Sequence, residues 1–156
     1  MTFEKLGLSE SVLRGVRAVG YSVPTEIQSL AIPPAISGSD VIGRAKTGSG
    51  KTAAFILPTI DRLLAGGGRK PNGVRALVLT PTRELAQQVA DATFTYAKHL
   101  KLRGEAMYGG GGIEPQFKKL RHGVDILAAT PGRLIDHIER GSVDLSTCEV
   151  LIVDEA

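Results

Sequence analysis

The chain has 156 residues, 42% of them hydrophobic and 22% charged, a balance that excludes a disordered or fibrous protein and fits one globular domain with a real core. No run approaches the roughly 18 apolar residues of a membrane span, and Met1-Thr2-Phe3-Glu4-Lys5 lacks the basic-then-apolar layout of a signal peptide, so a cytoplasmic protein without membrane contact is expected. The net charge of +3 is compatible with a polyanionic partner but does not single one out, and the single cysteine, Cys148, excludes an internal disulfide.

In chain order, Ser9 can cap a helix carrying Val12, Leu13 and Val16, and Thr25 with Gln28 three residues later forms a candidate capping box for a second helix. Apolar runs predict strands at Asp40 to Gly43, Ala76 to Thr80, Asp125 to Thr130 and Glu149 to Asp154, with Gly104 to Tyr108 a candidate fifth. Leu85, Val89 and Ala92 carry helical spacing between strands, as do Leu134, Ile135 and Ile138. Strands alternating with helices predict an α/β fold with a mostly parallel sheet. Residues 65–73 are turn-forming throughout and read as a mobile surface loop in which Arg69 and Lys70 are solvated. Cys148 opens an apolar run and reads as a buried structural thiol; none of His99, His122 or His137 stands at a metal-ligand spacing from it. No long-period repeat or domain boundary is visible.

Ala45-Lys46-Thr47-Gly48-Ser49-Gly50-Lys51-Thr52 falls where a strand should end and a helix begin. Glycines there let successive backbone N–H groups curl around a phosphate, Lys51 reaches its outer oxygens, and the Thr52 hydroxyl can hold Mg²⁺. Ala45 stands where the general pattern has glycine. The partner of such a loop is an acidic residue at the end of another strand. Val150-Leu151-Ile152-Val153-Asp154-Glu155 supplies one, with Asp154 suited to Mg²⁺ through water and Glu155 to polarising an attacking water. Upstream, the Gln28 amide offers the donor and acceptor that match adenine N6 and N7.

Gly20-Tyr21-Ser22-Val23-Pro24-Thr25-Glu26-Ile27-Gln28, with Phe3 upstream, resembles the Q motif of the DEAD-box RNA helicases, and the resemblance extends over essentially the whole chain. It implies a RecA-like P-loop NTPase domain, with residues 1–29 as the Q-motif region and residues 30–156 as the ATP-binding domain. It further implies that Phe3 stacks on adenine, that Tyr21, Thr25 and Gln28 belong to the adenine end, that Ala45 to Thr52 is motif I, and that Asp154-Glu155-Ala156 opens motif II. ATP and Mg²⁺ are the cofactors it implies.

Leu79-Thr80-Pro81-Thr82-Arg83 and Ala129-Thr130-Pro131-Gly132-Arg133 are nearly the same words, each leading into a helical stretch. Proline suits the first helical turn, and the free N–H groups beyond it form an anion site to which arginine adds charge. The same segments read equally as ordinary helix starts whose arginines pair with Glu84 or Asp136. If the strands are parallel, both segments lie on one carboxyl edge. They resemble the family's motifs Ia and Ib, and Tyr108-Gly109-Gly110 with Gln116 resembles its GG element, where bare backbone approaches a nucleic-acid strand. With aromatic residues at 4% and no Trp, recognition should run through the RNA phosphates and be sequence-tolerant and salt-sensitive.

The sequence stops at Ala156, one residue before the Asp that completes motif II in the family. The expectation is therefore an incomplete RecA-like domain without the family's second RecA-like domain. Because a missing arginine finger costs phosphoryl transfer about a thousandfold or more, negligible turnover by this chain alone is expected. Three functions follow from the residues: the ATP-binding part of an RNA helicase, a non-catalytic nucleotide-dependent RNA-binding module, and a small phosphotransferase, for which no acceptor site is visible. Selection of RNA over DNA rests on the resemblance.

Overall fold

A computed structural model describes residues 1–155. The chain divides into two compact units, one formed by Met1–Gly66 with Thr95–Lys101 and the other by Gly67–Phe94 with Leu102 to the end.

The first unit opens with a short 3₁₀ helix at Phe3–Leu6, followed by helices α1 (Glu10–Ala18), α2 (Glu26–Ile36) and α3 (Lys51–Ala65). Val12, Leu13 and Val16 are buried at the expected helical spacing. Ser9 occupies the N-cap position of α1, yet its side chain makes no cap bond, and its backbone N–H is held by Asp61 Oδ1 at 3.0 Å. The Thr25–Gln28 capping box is formed in both directions: the Thr25 N–H donates to Gln28 Oε1 at 3.0 Å, and the Gln28 N–H donates to Thr25 Oγ1 at 3.5 Å. Two of the four orphan N–H groups at this helix end are thereby satisfied.

The strand predicted at Asp40–Gly43 is not formed. Residues 39–46 have no regular structure, Val41 is 43% exposed and Ile42 98%. An apolar run becomes a strand only when a neighbour accepts its backbone hydrogen bonds, and this segment pairs with no strand among the described residues.

The second unit holds β1 (Val74–Leu79), most of α4 (Arg83–Tyr96), β2 (Gly104–Met107), α5 (Glu114–Arg121), β3 (Val124–Ala129), α6 (Pro131–Arg140) and β4 (Val150–Val153). All three pairings are parallel, in the order β2-β3-β1-β4. β3 is buried along its whole length, as a strand covered on both faces must be. Val74, Leu77, Met107, Leu120, Val124, Leu127 and Leu134 form the core of this unit. The half-buried Cys148 packs against it and donates to the Val150 carbonyl at 3.3 Å, and burial pushes its thiol pKa up. Among the described residues β4 pairs with β1 alone and leaves Leu151 and Val153 exposed.

Three sequence expectations for this unit need correction. The second half of the 65–73 loop is pinned: Arg69 Nη1 meets Asp125 Oδ2 at 2.6 Å, Lys70 Nζ meets Asp144 Oδ2 at 2.7 Å, and Asn72 donates to the Leu120 and Ser142 carbonyls. The stripe that α6 buries is Leu134 and His137, while Ile135 and Ile138 stay exposed, because a histidine with both ring nitrogens bonded can replace an aliphatic residue in a core. Finally, Pro81 precedes the helix instead of opening it. α4 starts at Arg83, and Thr82 caps it by accepting from the Leu85 N–H at 3.2 Å. Thr82→Ala is expected to lower stability by about 1 kcal/mol in thermal unfolding.

Candidate functional site

In the first unit, Gly48 and Gly50 adopt the left-handed conformation, with φ of +81° and +83°, and Gly50 is the N-cap of α3. The turn between them is closed by the Ser49 N–H and hydroxyl, which both bond the Lys46 carbonyl. Lys51 and Thr52 are the first two residues of the helix, so their N–H groups belong to the orphan donors that make a helix start an anion site. Thr47 and Gly48 are exposed; Ser49 to Thr52 are half-buried.

Gln28 ties this loop to the capping box. Its Nε2 donates to the Gly50 carbonyl at 3.1 Å while its Oε1 accepts from Thr25. A β-carbon at position 50 would collide with that same amide nitrogen, so glycine is required there on steric as well as conformational grounds. The buried amide retains one N–H and one lone pair beyond these bonds. Phe3 is buried at 2% exposure, so its ring is packed inside the unit and presents no open face for a base. Tyr21 is half-exposed; burial, and then this neighbouring tyrosine, push the Tyr96 phenol up to about 12.

The parallel sheet of the second unit brings four strand ends to one carboxyl edge. In sheet order these are the glycine loop after β2, Thr130-Pro131-Gly132-Arg133 after β3, Thr80-Pro81-Thr82-Arg83 after β1, and Asp154-Glu155 after β4. The strand ends are stitched together, Thr130 N–H to Met107 O at 3.1 Å, Thr80 N–H to Ala129 O at 3.0 Å and Asp154 N–H to Leu79 O at 2.9 Å. Pro131 is the first residue of α6 and Thr130 its N-cap.

Both arginines turn toward the glycine loop. Arg133 Nη2 donates to the Gly111 carbonyl at 3.1 Å, and Arg83 Nη1 lies 3.7 Å from where a side chain at Gly110 would begin. Arg83 Nε also pairs with Glu84 at 3.2 Å, whereas Asp136 is taken by Arg140 at 2.7 Å. Arg133 Nη1 is buried and has no hydrogen-bond partner. Gln116 Nε2 donates to the Tyr108 carbonyl at 3.3 Å; Gly109, Gly110, Pro131 and Gly132 are exposed. Asp154 is buried, and Glu155 is exposed with a φ of +60°.

The DEAD/DEAH box helicase family model matches residues 25–156. The chain belongs to that family. DeaD of Escherichia coli strain K12, an ATP-dependent RNA helicase, is 45% identical over 156 residues, which are 99% of this chain and 24% of that protein. The RNA helicase CrhR of Synechocystis is 46% identical over 99% of this chain and 30% of its own length. The crystal structure of the RNA helicase Prp28 from Chaetomium thermophilum bound to ADP superimposes with a TM-score of 0.90 at 44% identity, covering 99% of this chain and 38% of that one. The fold of this DEAD/DEAH box protein is accordingly α/β and RecA-like, and the chain spans 24% to 30% of the length of these two curated relatives.

Two constellations of this DEAD/DEAH box chain escaped the sequence reading. One is the buried carboxylate of Asp125, which gathers Arg69, Arg75 and the Arg103 N–H. The other is His137 with Gln116 and Ser142. A charged residue inside the β3 run and a histidine on the inner face of α6 were the available signals, and neither names its partner.

Proposed function

We propose that this chain binds ATP and Mg²⁺ through its phosphate loop and an RNA backbone along the carboxyl edge of its sheet, and that full-length proteins containing it couple ATP hydrolysis to RNA duplex unwinding. Thr47 to Thr52 cradle the phosphates, with Lys51 supplying the charge, and Gln28 reads the adenine with Tyr21 and Thr25 beside it. Phe3 would need to uncover a ring face before it could stack. Glu155 polarises the attacking water.

Mg²⁺ prefers hard oxygen ligands, retains several waters and takes one or two carboxylates beside substrate phosphates. The Thr52 hydroxyl in the first unit and the Asp154 carboxylate in the second are each, taken singly, ligands of that kind, and no cluster of three or more His, Cys, Asp or Glu offers a different metal site among the described residues. When bound, the ion neutralises charge developing on the phosphate oxygens. The residues of this chain bind and orient: backbone N–H groups and Lys51 hold the phosphates, and the acidic pair at the end of β4 directs water. A second RecA-like domain elsewhere in the protein would supply further arginines.

The observation that carries the RNA reading is the buried, unpartnered Nη1 of Arg133, on a residue whose Nη2 already organises the glycine loop. Buried donors without acceptors are rare, and a phosphate oxygen would supply the missing one once the side chain turns to uncover Nη1. Arg83, Gly109, Gly110 and Gln116 share the edge, as do Pro81, Thr82, Thr130, Pro131 and Gly132 through their backbone. Arg133→Ala is expected to weaken binding of single-stranded RNA and to reduce the slope of log affinity against log salt by about 0.7, the contribution of one phosphate contact on a single strand. ATP affinity should be unchanged. An unaltered slope in fluorescence titrations across a salt series would count against the assignment.

A further inference from the structure

The loop from Tyr108 to Gly112 contains four consecutive glycines, all exposed, and nothing lies within 4 Å of where side chains at Gly109 or Gly111 would begin. Such a segment loses more conformational entropy on ordering than any other sequence of its length. Its shape at the carboxyl edge therefore depends on the bonds that hold it. Arg133 anchors it at the Gly111 carbonyl and Gln116 at the Tyr108 carbonyl, while the Tyr108 hydroxyl donates to Gln87 Oε1 at 3.4 Å.

Gln116 is itself held. Its Oε1 lies 2.8 Å from Nε2 of His137, whose Nδ1 lies 2.7 Å from Ser142 Oγ. Hydrogen-bond chemistry fixes the direction of this chain. The Tyr108 carbonyl can only accept, so the Gln116 nitrogen must face it and the Gln116 oxygen must face the histidine. An amide oxygen also only accepts, so the proton sits on His137 Nε2. In the neutral ring Nδ1 is then the acceptor facing the Ser142 hydroxyl. Burial, and after it the charge of Arg133, push the His137 pKa down and favour that neutral ring. The imidazole is 1% exposed and is flanked edge-on by the Phe117 ring at 5.7 Å, so it cannot turn to another partner without opening the core.

From this connected geometry we infer that His137 is a positioning residue for RNA binding: as the Nε2–H tautomer it holds the Gln116 amide in one orientation, and Gln116 in turn holds the glycine loop at its Tyr108 end. The inference rests on the proposed RNA site at the carboxyl edge. His137 touches no RNA; it acts through Gln116, and the tautomer is set by the Gln116 oxygen, since the Ser142 hydroxyl can donate to Nδ1 or to the His137 carbonyl at 3.1 Å.

The test compares ¹⁵N backbone order parameters at Gly109 to Gly112 and affinity for a fluorescein-labelled uridine oligomer in the wild type, His137→Leu and His137→Gln. Removing one ordering hydrogen bond should bring the loop order parameters below about 0.6, the flexible range, and weaken RNA binding roughly tenfold in His137→Leu. ATP affinity should stay as in the wild type. His137→Gln, which keeps an N–H able to reach Gln116, should recover both quantities, a rescue that a purely space-filling role would not produce. Unchanged order parameters in His137→Leu, or no recovery in His137→Gln, overturns the inference. If His137→Leu fails to fold, the ring-nitrogen spectrum of the wild type decides: the Nε2–H tautomer supports the chain of bonds and the Nδ1–H tautomer refutes it. Loop order that follows the prediction in a wild type that binds no RNA leaves the positioning role standing and removes the RNA reading instead.

Discussion

Lys51→Ala is expected to lower the affinity for ATP about a hundredfold, which corresponds to roughly 2.7 kcal/mol and lies within the range for truncating one partner of a desolvated, hydrogen-bonded charge pair. The lysine opens α3 directly after a left-handed glycine, so in the proposed site its ammonium and the helix-start N–H groups would approach the same phosphates. The N–H groups remain in the variant, which is why binding weakens but is not abolished. Lys51→Arg should recover little, because a planar fork does not replace a compact point charge in a loop closed around phosphate. Calorimetric titration with ATP and Mg²⁺ measures the effect, and an intact unfolding transition in the variant separates lost binding from lost structure. Equal affinities in the variant and the wild type would remove Lys51 from the site.

The second large effect lies away from any ligand. Asp125, on β3, is buried at 1% exposure and accepts from Arg75 Nη1 at 3.2 Å, Arg69 Nη1 at 2.6 Å and the Arg103 N–H at 2.7 Å. Arg75, on β1, is 5% exposed, so Asp125→Ala removes a counter-charge from a buried guanidinium. Losses of about 3 to 5 kcal/mol are typical of such half-removed pairs. Urea unfolding should show that loss, together with faster proteolysis near Arg69, whose tether to the sheet is cut. Replacing Arg75 by Met in the same chain should recover part of the stability, since a well-packed apolar pair avoids the desolvation cost altogether. A loss below about 1 kcal/mol in Asp125→Ala would show that the network is solvated and carries no more than a surface pair.

What could be read from the sequence was chemistry whose partners are neighbours along the chain. The capping box needs residues three apart, and the glycine turn that leads into α3 needs only consecutive residues, so both were legible. The parallel sheet was legible because β1, β3 and β4 are short apolar runs separated by helical stretches. Features whose partners are remote were not. Arg69 and Lys70 read as solvated because their carboxylates lie on β3 and beyond α6, 56 and 74 positions further on. The inner face of α6 was misassigned because periodicity counts aliphatic residues, whereas the chain buries His137 and satisfies it with Gln116 and Ser142. The segment Asp40–Gly43 shows the complementary failure, since an apolar pattern predicts burial but cannot supply the strand that must accept its hydrogen bonds. Phe3 shows a related one: the sequence marks an aromatic ring at a useful distance without telling which way it packs.

The proposed phosphate recognition at the carboxyl edge relies on two arginines and a bare glycine loop, in a chain with few aromatic platforms. The most direct measurement is the affinity of the chain for several single-stranded RNA oligomers of equal length and unrelated sequence, at one fixed salt concentration. Phosphate contacts carry no base information, so the affinities should agree and should fall together as salt is raised. Strong sequence preference at constant salt, or affinity that does not respond to salt, would contradict it.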